Sequence, residues 1–167
     1  MKILFFSDIH GIVDNLDYLK KLDNEKHFDK VICLGDLFYD TSFNGNVDII
    51  KVDRFLNSFN ERLICIKGNC DSNSDFNMVE KFLFNLDGID VYCMHGHKYI
   101  KQENGVVIYG HEHVPYIKKK DNTIFICVGS ISLPRKGSEC SYCIYENNSF
   151  TLYTIYEEVI DKIDINR

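Results

Sequence analysis

Five short apolar runs in this chain each end, a few residues on, in a side chain able to bind a metal. Ile3 to Phe6 leads to Asp8 and His10, Val31 to Leu34 leads to Asp36, and Leu63 to Ile66 leads to Asn69. Val91 to Met94 leads to His95, and Val106 to Tyr109 leads to His111 and His113. Runs of four apolar residues bounded by turn signals read as short strands. If they are neighbouring strands of one open sheet, all seven side chains emerge at its carboxyl edge, where α/β sheets place their ligands. A turn or helix-capping role explains Asp8 or Asn69 singly, but not the whole set. Five of the six histidines fall in these strand-end segments, His27 being the exception. Glycines stand beside the candidates at Gly11, Gly35, Gly68, Gly96 and Gly110, as close backbone approach requires.

The remaining pattern supplies the frame. Between the first three runs, Ile12 to Lys26 carries Leu16, Leu19 and Leu22 at helical spacing, and Val47 to Phe59 carries a second helical face. Strand, helix, strand, helix, strand implies parallel pairing through crossovers. The second half is made of hairpins. Phe82 to Leu86 and Ile89 to Met94 flank Asp87-Gly88, the signature of a type I′ turn. Tyr116 to Lys119 and Thr123 to Val128 flank Asp121-Asn122, and Ser141 to Tyr145 and Phe150 to Tyr156 flank Asn147-Asn148. The prediction is a mixed sheet, or two sheets packed face to face with helices outside, in one domain over residues 1–167.

A chain of 167 residues can bury roughly 70% of its unfolded surface, enough for a core and a cleft without disulfides. Lys and Arg number 19 against 25 Asp and Glu, a formal charge of −6, and the basic residues are scattered. That argues against general nucleic-acid binding, which needs clustered cations on the phosphate backbone. The run Lys118-Lys119-Lys120 reads as a solvated hairpin. Seven cysteines are an odd number, and Cys33, Cys65, Cys93 and Cys127 lie inside apolar runs as small hydrophobes. Cys140 and Cys143 have the spacing of a redox pair, but three residues apart on a strand they face opposite sides. With no signal-peptide pattern and no apolar stretch near the ~18–20 residues that span a bilayer, a reducing cytoplasm is the expected compartment, with no membrane partner.

Mixed imidazole, carboxylate and amide donors without a paired-cysteine motif suit catalytic Mn, Fe or Zn better than a structural zinc site. Seven ligands are too many for one ion that keeps a position open for substrate. Two divalent transition-metal ions sharing one carboxylate are therefore expected, Mn first, with Fe, Zn and Ni as alternatives. Such a pair, roughly 3.5–4 Å apart, clamps the oxygens of an in-line phosphoryl displacement.

The series Asp8-Ile9-His10, Gly35-Asp36, Gly68-Asn69, His95-Gly96-His97 and Gly110-His111-Glu112-His113 resembles the calcineurin-like metallophosphoesterases. It is most similar to their small YfcE-type phosphodiesterase branch. The likeness runs from Met1 into the last hairpin and includes Gly68-Asn69-Cys70-Asp71 and Gly129-Ser130-Ile131-Ser132-Leu133-Pro134. It implies an α/β fold, a four-layer α-β-β-α sandwich of two mixed sheets flanked by helices. Asp8, His10 and His113 would bind a first ion, and Asn69, His95 and His111 a second, with Asp36 bridging. A hydroxide between the ions would attack phosphorus without a covalent enzyme intermediate, with Asp36, Asn69, Cys70 and His95 in catalytic roles.

Three departures matter. Cys70 stands where the wider superfamily has a histidine thought to protonate the leaving oxygen. A thiol is a weaker donor, and the branch that shares it is associated with small diesters bearing good leaving groups. The segment Leu37 to Asn46 lacks the rim arginine of the branch, so phosphate binding is expected either to be weaker or to recruit another group such as Arg135 or Lys136. Only Gly96 to Gly105 separates two expected parallel strands, near the lower limit for a crossover and short of the usual helix, which leaves a homo-oligomer contact open. Function does not follow from fold, so a non-catalytic scaffold, a phosphomonoesterase and a nucleotide hydrolase stand as alternatives to the diesterase.

Overall fold

The computed structural model describes residues 1–38, 46–71, 75–98 and 104–165. Two mixed β-sheets stack face to face. The first third builds one half of the first sheet: β1 (Ile3–Phe6), α1 (Leu16–Lys26), β2 (Lys30–Cys33), α2 (Ile49–Asn57) and β3 (Leu63–Cys65). β1, β2 and β3 pair in parallel through the two helical crossovers. The second sheet follows, with β4 (Lys81–Leu86), β5 (Ile89–Met94), β6 (Gly105–Tyr109), β7 (Pro115–Lys120) and β8 (Thr123–Val128) in the order β4-β5-β6-β8-β7. The chain then returns to the first sheet with β9 (Ser141–Glu146), β10 (Ser149–Thr154) and β11 (Val159–Asp164), giving the order β11-β10-β9-β1-β2-β3.

The unalternating runs are explained by burial on both faces. In β1, Ile3 and Phe5 point between the sheets against Val91, Cys93, Ile108 and Val128. Leu4 and Phe6 point outward against the helices, and all four are at most 1% exposed. Each such side chain contributes about 1.5–3 kcal/mol of hydrophobic stabilisation.

The helices dock because their apolar stripes match that outer face. Leu16, Leu19 and Leu22 of α1, and Val52, Phe55 and Leu56 of α2, are buried there. Helix α1 begins at Leu16 rather than Ile12 because Ile12 forms a β-bridge with Val47 and Val13 N–H donates to Asn46 O, which holds that stretch extended. Helix α2 starts behind Asp48, whose carboxylate accepts from Lys51 N at 2.9 Å. Arg62 ties this layer together, donating two bonds to the buried Asp23 of α1 and one to Phe28 O.

The two-sheet sandwich with flanking helices is the observed architecture. Among the described residues both helices lie on the first sheet. On the outer face of the second sheet Val107, Tyr109 and Cys127 form a separate buried cluster with Tyr92, Met94, Tyr116 and Phe125. The expected short crossover joins β5 to β6, which pair in parallel. Its residues 99–103, and residues 39–45 of the altered rim segment, lie outside the described residues.

The hairpins fall where the turn dipeptides put them. Asp87 and Gly88 both have positive φ, as do Asn147 and Asn148. Lys118, Lys119 and Lys120 are exposed. All seven cysteines are free. Cys143 faces the inter-sheet core while Cys140 is partly exposed, so that pair is not brought together. Among the described residues no helix is long and apolar enough to cross a membrane.

Strand β11 was not read from the sequence. It pairs with β10 alone at the sheet edge, and most of its side chains are exposed, so it carries little alternation to detect.

Candidate metal centre

β1, β2 and β3 all run one way, and β5 and β6 carry their carboxyl ends to the same edge of the sandwich. The turns beyond those ends are stitched together by backbone bonds. Asp8 N donates to Gly35 O at 3.0 Å, His10 N to Asp36 O at 2.9 Å, and Gly110 N to His95 O at 3.0 Å. Asp8, His10, Asp36, His111 and His113 all adopt the left-handed region, with φ between 51° and 65°. That conformation costs a side-chain-bearing residue about 1 kcal/mol and persists only where surroundings impose it.

The candidates form two connected sets. In the first, His113 Nε2 lies 3.3 Å from Asp8 Oδ1 and 3.4 Å from His10 Nε2, and His10 Nε2 lies 3.7 Å from Asp8 Oδ1. In the second, Asp36, His95 and His111 bring ligand atoms within 4.8 Å of one another. Asn69 joins this set with its Oδ1 3.2 Å from His95 Nε2. Asp36 Oδ2 stands between the sets, 3.7 Å from His10 Nε2 and 3.3 Å from His95 Nε2. All seven side chains predicted to ligate are thus brought together.

These residues fit divalent ions. Asp8 Oδ1 is buried and has no hydrogen-bond partner, although two imidazoles aim at the same point. Ligands sharing an ion at about 2.0–2.2 Å stand roughly 3–3.5 Å apart, close to the separations in the first set. The imidazoles are also held in the correct tautomer. His95 Nδ1 donates to Leu34 O at 2.8 Å and His113 Nδ1 donates to Leu133 O at 2.6 Å, which leaves each Nε2 facing the site.

Electrostatics follow the same geometry. Burial pushes the Asp8 carboxyl up, but His10, His113 and His95 outweigh it and hold the group well below the usual carboxylate range. Burial likewise raises Asp36, and His95 and the Cys70 N–H more than offset it. Burial pulls His95 down, yet Asp36 and Asp8 hold it above the ordinary imidazole value. His111 is depressed by burial and by the neighbouring His95.

Cys70 is partly buried at the same place, and its Sγ lies within 4.8 Å of ligand atoms of His10 and Asp36. Its N–H donates to Asp36 Oδ1 at 2.9 Å, and Asn69 Nδ2 donates to its Sγ at 3.3 Å. The His97 ring stands 5.4 Å from that of His95 and 6.2 Å from that of His111, beside the second set.

Two organising residues were missed from sequence. The buried Asp71 carboxylate accepts from Asp36 N, Leu37 N and Gly68 N at 2.8–2.9 Å, and so locks the Asp36 turn to the Asn69 turn. Buried Ser130 donates to Asp8 O at 2.8 Å and accepts from Leu133 N at 2.8 Å, joining the Asp8 turn to the segment that holds His113. Position inside Gly68-Asn69-Cys70-Asp71 was the one available signal for Asp71, since composition does not distinguish it from the other acids.

The profile of the calcineurin-like phosphoesterase superfamily domain matches residues 1–149. The chain belongs to that superfamily. Phosphodiesterase YfcE of Escherichia coli K12 is 26% identical over 183 residues, with 99% of both chains covered. The probable metallophosphoesterase YsnB of Bacillus subtilis is 28% identical over 179 residues, covering 98% of this chain and 95% of YsnB. The solved structure of the E. coli YfcE phosphoesterase matches with a TM-score of 0.90 at 26% identity, over 99% of this chain and all of that one. Zinc-bound Vps29 from Entamoeba histolytica matches at 0.70 and 19% identity over 99% of this chain and all of Vps29, a likeness of fold. Within the superfamily the chain is similar to YfcE over nearly its whole length.

Proposed function

We propose that this chain is a metal-dependent phosphodiesterase acting on small phosphodiesters. The observation that carries the reading is Asp36 Oδ2, which faces His10 of one ligand set and His95 of the other. Asp8, His10 and His113 would hold one divalent ion, Asn69, His95 and His111 a second, and Asp36 both. Mn is the first expectation, with Fe, Zn and Ni as alternatives. When bound, two such ions supply Lewis acidity at the phosphoryl oxygens and an acidified water as nucleophile.

The chain's own residues set the rest. Asp8 and Asp36 stay ionised at neutral pH and offset the ions' charge. The Leu34 and Leu133 carbonyls keep the His95 and His113 rings oriented. Cys70 at this position offers the leaving oxygen only a weak donor, which favours diesters with good leaving groups. Seven free thiols favour a reducing cytoplasm as the place of action.

The test is turnover of bis(p-nitrophenyl) phosphate by purified protein with Mn²⁺ and with EDTA. We expect metal-dependent hydrolysis that exceeds hydrolysis of p-nitrophenyl phosphate. A folded, metal-loaded sample that turns over the monoester alone, or neither compound, contradicts the reading.

A further inference from the structure

We propose that Arg135 is a substrate-binding residue that grips the anionic phosphate beside the first ligand set; this rests on the phosphoesterase reading above. The turn that carries it is fastened to His113 in two ways. His113 Nδ1 donates to Leu133 O at 2.6 Å, and Arg135 N donates to His113 O at 3.0 Å, while Ser138 Oγ donates to Arg135 O at 2.7 Å within the turn. The turn also closes on itself, with Ser138 N donating to Arg135 O at 3.0 Å and Lys136 and Gly137 in the left-handed region. Arg135 is therefore held against a ligand of the first set by main-chain bonds that leave its side chain uncommitted.

That side chain is exposed and makes no hydrogen bond or ion pair with any described residue. The contrast with Arg62 is chemical. Arg62 spends its guanidinium on Asp23 and Phe28 O, so it is structural. Lys98, which follows His97, is paired with Glu80 at 2.8 Å. Residues 37–46 contain no Lys or Arg. In a chain of net charge −6, Arg135 is an exposed cation without a side-chain partner among the described residues, carried on a turn whose backbone is bonded to His113. Its planar fork of donors matches two phosphate oxygens at once, which an ammonium cannot reproduce.

The experiment compares wild type, Arg135→Ala, Arg135→Lys and Lys136→Ala, all metal-loaded. It measures kcat and KM on bis(p-nitrophenyl) phosphate, inhibition by inorganic phosphate, and Mn²⁺ affinity. Arg135→Ala should raise both KM and the phosphate inhibition constant about 10- to 100-fold, with kcat within about threefold and Mn²⁺ affinity unchanged. Arg135→Lys should recover part of the loss, and Lys136→Ala should show little. Wild-type KM and phosphate inhibition in Arg135→Ala overturn the proposal. So does weakened Mn²⁺ binding, which would assign Arg135 to holding the turn. Calorimetric titration with inorganic phosphate separates the two readings. Arg135-dependent phosphate binding without diester turnover would remove the diesterase reading and keep this one, while turnover with Arg135-independent binding would do the reverse.

Discussion

The hairpin tips and the strand-end turns use the same unusual backbone for opposite reasons. Asp87, Asn147 and Asn148 at the tips, and Asp8, His10, Asp36, His111 and His113 at the strand ends, all have φ between 50° and 65°. The tips are exposed and built from residues that tolerate this conformation locally, so the chain's own turn chemistry suffices. At the strand ends Asp8, His10, Asp36 and His113 are at most 2% exposed, and the conformation is imposed by bonds from distant segments. Local preference makes a turn that any neighbour can flank. Long-range stitching makes one whose side chains must converge.

The largest test of this contrast compares two glycines. A Cβ on Gly35, where φ is +106°, would stand 2.6 Å from His95 Nδ1 and 2.9 Å from Gly68 N. Gly137, at φ +76°, has open space around it. Gly35→Ala should cost about 3–4 kcal/mol, strain and overpacking together, and Gly137→Ala only about 1 kcal/mol. Thermal unfolding of both measures it, and equal shifts would break the contrast.

Next comes Asp71→Asn. An amide presents N–H groups to backbone donors that the carboxylate now accepts from. We expect a loss of about 2–3 kcal/mol in chemical denaturation and a 10- to 100-fold loss of Mn²⁺ affinity. Unchanged affinity would mean the Asp36 turn holds its shape without Asp71.

The pH dependence sharpens the electrostatic side. In the metal-free protein His95 has a raised pKa and keeps its proton to higher pH than an exposed imidazole. An ion must displace that proton, so Mn²⁺ affinity should begin to fall, as pH decreases, above the ordinary imidazole value of ~6.5. The metal-free protein's stability should respond with the matching sign. The His95 contribution is full below its unfolded pKa and is lost as pH rises through the raised folded value. The Asp8 and Asp36 contributions are present above the unfolded carboxyl values and are lost as pH falls through the depressed ones. Calorimetric titrations across pH check the affinity, and an onset at or below the ordinary value contradicts it.

The smallest expected effect lies at a tip. Asn148→Ala should cost about 1 kcal/mol and leave Mn²⁺ affinity untouched.

The same contrast explains what was legible beforehand. Asp87-Gly88 and Asn147-Asn148 announced their hairpins because the turn is encoded where it occurs. The seven candidate ligands were legible as a set because short apolar runs mark strands, and these residues follow their ends. The helix start at Leu16 was not, since the Ile12–Val47 bridge joins residues 35 positions apart. Asp71 and Ser130 stayed hidden for the same reason. What marks them is the donors they meet, which come from turns far away in the chain. Strand β11 was hidden by its exposure at the sheet edge.

The central claim is that Asp36 joins two ligand sets into one centre for two ions. Its most direct test is the number of Mn²⁺ ions bound per chain, measured by elemental analysis after equilibrium dialysis. The account predicts two in the wild type, one in His113→Ala and in His111→Ala, and weakened retention of both in Asp36→Asn. A wild-type protein that binds a single ion at saturation, or two whose retention is indifferent to Asp36→Asn, would contradict it.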